Sequence, residues 1–310
     1  GGHAVTNPRP RNIAASVHQR LLDKSRGSAR PFNELLQYYA IERFLYRLSR
    51  SPHAGNFILK GALMLLVWDV RTSRSTMDID MLGRMDNDPE TVIAMVREVC
   101  RQEVEEDGIL FDPESVQGER ITEDAEYQGV RIRFRGMLDN ARLTIQLDVG
   151  FGDVVVPGPV PMAYPTLLDF PAPRIRGYSR ESTIAEKFEA MVRHGIMNSR
   201  MKDFWDIRHL SRQFDFDGST LAAAIAETFA ARNTAVPSEP VAFTEAFLRD
   251  EAKQVQWKAF LRKNRMAGDP DAFSDVMASI SSFLAPVVEH LVKGALAPTL
   301  WKAPGPWQTP

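Results

Sequence analysis

Apolar positions recur at helix-like spacing through the first fifty residues: Leu21, Leu35, Leu36, Ile41, Phe44, Leu45 and Leu48. That spacing predicts helix near residues 10 to 50. A short apolar run, Phe57 to Leu59, then predicts a strand, and Ala62 to Trp68 a helix. Asp88-Pro89-Glu90 opens another helix that runs to about Arg101, because proline and acids favour the first helical turn. The period then changes to two. Gln128 to Gly136 and Arg142 to Phe151 read as strands joined through Met137-Leu138-Asp139-Asn140. On the second strand Leu143, Ile145 and Leu147 share one face, and Thr144, Gln146 and Asp148 share the other. Pro157-Gly158-Pro159 and Pro171-Ala172-Pro173 punctuate the chain. From Ser182 onward the pattern is mostly helical. The expected organisation is N-terminal helices and a core over 10–165, a helical C-terminal domain over 175–295 and a Pro/Trp tail over 296–310.

The bulk numbers narrow this little. The chain has 310 residues, 44% hydrophobic and 25% charged, with a net charge of -2. That is an ordinary globular balance with no global nucleic-acid signal. Cys100 is the only cysteine, so no internal disulfide can form and a reducing, cytoplasmic setting is expected. The sequence predicts no signal peptide, no bilayer-spanning run and no membrane partner.

The candidate chemistry begins at Asp78-Ile79-Asp80. On a strand, Asp78 and Asp80 point the same way and Ile79 points inward. Paired carboxylates repel unless a cation lies between them. Mg²⁺ takes few protein carboxylates and completes its shell with water and phosphate oxygens. A solvated acidic face would give the same spacing. Upstream, Lys60-Gly61 forms a turn at which backbone can approach an anion closely. If the strand ending at Asp148 neighbours Asp78 and Asp80, three carboxylates converge, a set suited to phosphoryl or nucleotidyl transfer.

The C-terminal half adds further charged positions. Thr183-Ile184-Ala185-Glu186 matches a capping box, predicting a helix start. Lys187 lies at the edge of the apolar stripe Ile184, Phe188, Met191 and Val192. It could reach a triphosphate or simply cover the core with its stem. Asp203 shares an apolar face with Asp206, Ile207 and Leu210, so it needs a partner. Lys187, Arg200 and a capping amide are the candidates. Arg131, Arg133 and Arg135 alternate on one strand face, and basic residues enrich the helical region from Arg174 to Arg212. A polyanionic acceptor or plain solvation would each account for them.

Taken in order, Lys60-Gly61-Ala62, the apolar Leu63 to Trp68, Arg74-Ser75-Thr76-Met77-Asp78-Ile79-Asp80, Ala185-Glu186-Lys187 and Lys202-Asp203-Phe204-Trp205-Asp206 resemble the AbiEii/AbiGii toxin family. This is a MenT-like, type IV toxin–antitoxin branch of the polymerase-beta-like nucleotidyltransferases. Trp301 and Trp307 in a Pro/Gly-rich tail also resemble that family, and the likeness covers most of the chain. It departs at Ala62, where the usual small residue of the turn is glycine or serine, so any hydroxyl contact there is missing.

The resemblance implies an α+β fold: a nucleotidyltransferase core with a mixed sheet flanked by helices, plus a helical C-terminal domain. It implies a Mg²⁺-dependent toxin that moves a nucleotide from an NTP to the 3′ end of tRNA and so blocks aminoacylation, with a cognate antitoxin. Asp78, Asp80 and Asp148 would hold the metal. Asp148 would complete that site or take a proton from the attacking hydroxyl. Lys60, Gly61, Ala62, Arg74, Ser75 and Lys187 would line the nucleotide site, and Asp203 would position Lys187. Two alternatives stay open: transfer to a protein or small-molecule hydroxyl, and a non-catalytic relative that binds nucleotide or a partner.

Overall fold

The computed structural model describes residues 12–70, 75–123, 127–264, 266 and 272–308. In chain order the elements are α1 (Ile13–Arg26), α2 (Phe32–Arg50), β1 (Phe57–Lys60), α3 (Leu63–Val67), β2 (Asp78–Gly83), α4 (Pro89–Arg101), β3 (Ile109–Glu123), β4 (Tyr127–Leu138) and β5 (Ala141–Phe151). After these come β6 (Val160–Ala163), β7 (Arg174–Gly177), α5 (Arg180–His194), α6 (Met201–Gln213), β8 (Phe216–Asp217) and α7 (Gly218–Ala231). The remaining elements are α8 (Glu245–Leu248), α9 (Glu251–Lys263), α10 (Phe273–Lys293) and β9 (Leu300–Trp301). Strands β1 to β7 belong to a mixed sheet, as the α+β expectation requires. The chain divides into two compact units that interleave along the sequence. One holds the residues up to Phe57, Met77–Phe151 and Met162–Ile175; the other holds Ile58–Thr76, Gly152–Pro161 and Arg176 onward.

In the first unit the strand order runs β3-β4-β5-β2. β3 and β4 are antiparallel, as are β4 and β5, while β2 runs parallel to β5. The β4–β5 hairpin turns tightly at Asp139-Asn140, where Asp139 takes a φ of 52°, the left-handed geometry such turns demand. One face of this sheet is apolar. Ile79, Met81, Val130, Ile132, Phe134, Ile145, Leu147 and Val149 are all buried on it. Phe44 of α2 packs its ring 4.7 Å from that of Phe134. Ile93 of α4 lies so close to Gly118 that a β-carbon there would sit 2.8 Å from it. The β3 strand, absent from the periodicity reading, is broken by a register shift between Asp112 and Gln117. That shift hides its alternation.

A segment of the first unit is tied down by buried polar and charged groups on α2. Glu42 accepts the Leu167 amide at 2.6 Å, and Arg43 donates to the Pro171 carbonyl at 2.5 Å. Arg47 makes a two-pronged pair with Asp107 at 2.8 and 3.0 Å.

In the second unit β1 pairs parallel with β7, Leu59 opposite Gly177. Its core is helical and aromatic, built from Phe188, Phe204, Phe229, Phe247, Phe273 and Phe283 among others. Helix α10 is long and apolar enough, by length and composition, to cross a bilayer, which the sequence reading did not anticipate. Its apolar residues, Val276, Ile280, Phe283, Leu284 and Val287 among them, are nevertheless buried within this core. The tail closes over it. Trp301 in β9 pairs with Phe216 of β8 and donates to the Ser211 carbonyl at 2.6 Å. Trp307 stacks on Phe283 and donates to its carbonyl at 2.8 Å.

Candidate active site

The first unit carries the predicted carboxylates. Strand β2 begins at Asp78, which is exposed; Ile79 is buried and Asp80 half-buried. The period-two reading of Asp-Ile-Asp therefore holds in the fold. Parallel pairing with β5 sets Asp80 directly opposite Asp148 and Asp78 opposite Gln146. Asp148 is half-buried on the polar face of β5 while Leu147 and Val149 enter the core. The sheet thus brings all three aspartates to one face.

Asp148 is not left to its acidic neighbours. Across the hairpin it faces Arg131 of β4. Arg131 Nε donates to Oδ1 and Nη2 to Oδ2, both at 2.8 Å, the parallel two-pronged geometry that makes Arg–carboxylate pairs strong. Its hydrogen bonds to Asp148, then the charges of Asp148, Asp78 and Glu119, hold the guanidinium above its ordinary pKa. The neighbouring arginines are engaged in turn: Arg133 with Glu119 at 3.0 Å and Arg135 with Asp112 at 3.1 Å.

Among the described residues no group of three or more His, Cys, Asp or Glu side chains is arranged to hold a metal ion. Asp78 and Asp80 nonetheless supply the oxygen donors a hard divalent cation prefers, on one strand face and two residues apart. That pair fits such a cation, with the rest of its shell left to water and phosphate. Asp148, with both oxygens held by Arg131, does not join the pair in this arrangement.

The second unit carries the predicted cationic residues. Gly61 adopts a φ of 71°, where only glycine is unstrained, and its carbonyl accepts the Met64 amide at the start of α3. Ala62 is the half-buried residue before that helix, and Ser75 is exposed. Arg74 lies outside the described residues. Lys60 makes ion pairs with Asp153 at 3.1 Å and Glu186 at 2.9 Å and lies over the Tyr178 ring. Burial opposes its charge, yet Glu186, Tyr178 and Asp153 keep it protonated well above the usual range. Arg232, just after α7, completes the group by donating to Asp153 at 3.0 and 3.1 Å and to Glu189 at 3.0 Å.

Lys187 and Asp203 also meet. Lys187 Nζ lies 3.1 Å from Asp203 and 2.8 Å from Asp206, and Arg200 donates to the second Asp203 oxygen at 2.6 Å. Two of the three candidate partners of Asp203 are therefore its partners. The capping box is corrected. Helix α5 starts at Arg180 with Ser179 as its cap, accepting the Ser182 amide. Thr183 is interior and donates to the Ser179 carbonyl, and Glu186 turns to Lys60 and Tyr178 instead. Ser179, Lys60 and Tyr178 engage the two side chains that the local motif would have paired.

The profile of the family described as nucleotidyl transferase AbiEii toxin, Type IV TA system, matches residues 43–279. The chain belongs to the AbiEii family. No curated protein matches it. Among solved structures, JHP933 from Helicobacter pylori superposes with a TM-score of 0.49 at 12% identity, covering 85% of this chain and 95% of that one. A second H. pylori structure, provisionally assigned as a nucleotidyltransferase, gives a TM-score of 0.46 at 13% identity over 87% and 99% of the two chains.

Sequence reasoning passed over several groups of this AbiEii protein. Asp153, Glu189 and Arg232 come from distant positions, and no spacing announces them. Arg131 was legible in principle. A tight turn at Asp139-Asn140 sets opposite each other the residues eight places before Asp139 and eight places after Asn140, and those are Arg131 and Asp148.

Proposed function

We propose that this AbiEii toxin transfers a nucleoside monophosphate from an NTP to the 3′ end of tRNA, in the cytoplasm, under control of a cognate antitoxin. Membership of a nucleotidyl transferase toxin family of type IV toxin–antitoxin systems supports the NTP substrate and the antitoxin partner. One observation supports the chemistry above the rest: Asp78 and Asp80 on one strand face, with Asp80 in register with Asp148 on the adjoining parallel strand.

In this reading Asp78 and Asp80 hold Mg²⁺, with Asp148 as the third acid. The bound cation would supply neutralisation of the triphosphate charge. The terminal hydroxyl oxygen of the tRNA bonds to the α-phosphorus, the bond to the pyrophosphate oxygen breaks, and pyrophosphate leaves. The hydroxyl proton passes to Asp148 or to water. Lys60, Lys187, the Gly61 backbone, Ala62, Arg74 and Ser75 belong to nucleotide binding by resemblance. Asp203 keeps the Lys187 ammonium in a fixed orientation, which accords with its ion pair.

The test is incubation of the purified protein with total tRNA, Mg²⁺ and each labelled NTP in turn, resolved on a denaturing gel. Label on tRNA that disappears in Asp80→Ala and Lys187→Ala is the expected result. Label on protein or on a small molecule, with none on RNA, overturns the acceptor assignment. Transfer at the wild-type rate in both variants overturns the site.

A further inference from the structure

The three-carboxylate expectation treats Asp148 as a partner of Asp78 and Asp80. In the fold it is the partner of Arg131. Three facts define that pairing. The hairpin register sets the two residues opposite each other. Both carboxylate oxygens receive N–H donors at 2.8 Å. The Asp148 side chain is only 12% exposed and that of Arg131 30%, so water screens the pair weakly. Arg133, one pleat away on the same face, is committed to Glu119 and Gln146. The guanidinium of Arg131 also feels Asp78 and Glu119. A fixed positive charge therefore stands among the carboxylates, in contact with the third of them.

A guanidinium and a divalent cation compete for the same lone pairs. The planar fork of arginine matches a carboxylate in a way a single ammonium point charge does not, and it does not deprotonate. A cation that takes Asp148 as a ligand must first displace two charge-assisted hydrogen bonds. We propose that Arg131 is a built-in competitor of the divalent cation at Asp148, limiting the cation to the Asp78/Asp80 pair. Arg131 is then a positioning residue. It sets how many carboxylates meet the cation and how tightly the cation is held. This rests on the reading of Asp78 and Asp80 as cation ligands given above.

The competition is measurable without turnover. Mn²⁺ binding to the purified full chain, followed by electron paramagnetic resonance without nucleotide, reads the affinity directly. Arg131→Met should tighten Mn²⁺ binding by about tenfold or more, the scale on which one adjacent opposite charge biases a carboxylate. Adding Asp148→Asn to that variant should abolish the gain. Arg131→Lys, which keeps the charge and loses the fork, should give a smaller gain in the same direction and serves if the methionine variant does not fold. A purely structural ion pair would leave the affinity unchanged or weaken it. Folded Arg131→Met or Arg131→Lys protein that binds Mn²⁺ no better than wild type overturns the proposal. Wild-type protein that binds no Mn²⁺, or binds it equally well after Asp80→Ala, overturns the underlying cation site instead.

Discussion

Lys187 on α5 and Asp203 on α6 form an ion pair at 3.1 Å in which the carboxylate is almost wholly buried. Asp203 stays charged there because it has two cations, Lys187 on one oxygen and Arg200 on the other. Burial alone would favour the protonated acid; Lys187 and then Arg200 reverse that and hold the carboxyl below its usual range. The pair ties α5 to α6 and fixes the Lys187 head group at the same time. The same ion pair would serve the proposed orienting of Lys187 by Asp203.

Asp203→Ala should cost about 3 kcal/mol, because it strips a buried charge network of its central acid. The pH dependence has a defined sign. A carboxyl whose folded pKa is depressed adds stability above its unfolded value near 4 and loses that contribution as pH falls through the folded value. Urea unfolding of the wild type should therefore weaken below about pH 4, and Asp203→Asn should flatten that part of the curve. An unchanged acid limb in the variant would contradict the assignment.

Glu42 predicts the opposite slope. Burial raises its carboxyl to about 7, outweighing the Leu167 amide and Arg43. The folded state then binds a proton more tightly than the unfolded chain, so stability is greatest below the unfolded value and falls as pH rises to 7. The loss should reach about 3 kcal/mol. Unfolding midpoints at pH 5 and pH 7.5 test this. Glu42→Gln, which keeps a group able to accept the Leu167 amide at 2.6 Å, should remove most of the difference.

Much of this fold was legible and some of the site was not, for reasons that differ by element. Helix α4 was readable because Asp88-Pro89-Glu90 marks its start, and in the fold Asp88 caps it and Pro89 opens it, both local effects. Asp78 and Asp80 were readable because strand alternation is local too. β3 was hidden by its register shift, and α5 was misplaced because Thr183 and Glu186 imitate a cap while their real partners lie elsewhere in sequence. The group of Lys60, Asp153, Glu186 and Arg232 is assembled from four separate segments. Lys60 and Glu186 stand in motifs the sequence shows, but Asp153 and Arg232 are ordinary charged residues until the chain is folded, so no one-dimensional pattern joins the four.

That group makes a prediction of its own. Arg232 is the cation shared by Asp153 and the fully buried Glu189. Arg232→Met keeps the apolar stem and removes the charge, leaving Glu189 with Arg193 and Asp153 with Lys60. Breaking a buried charge group in this way costs about 3–5 kcal/mol. Thermal unfolding should report it, and a loss below about 1 kcal/mol would show that the remaining pairs suffice.

The Asp80→Asn variant separates chemistry from folding. Asp80 is half-buried on the polar face of β2, and its neighbours Ile79 and Met81 supply the packing on the other side. Asparagine has nearly the same shape, so the melting temperature should stay close to that of the wild type, as is usual for substitutions outside the core. The charge is what changes. If Asp80 holds a cation that stabilises charge developing at the phosphate, its neutralisation should lower transfer by at least about a hundredfold, the usual scale for losing one electrostatic contact of that kind. Single-turnover transfer of labelled nucleotide, with the melt run on the same sample, checks both halves. Normal transfer by a folded Asp80→Asn protein would remove Asp80 from the chemistry. A large drop in melting temperature would instead make Asp80 a structural acid whose loss reaches activity through the fold.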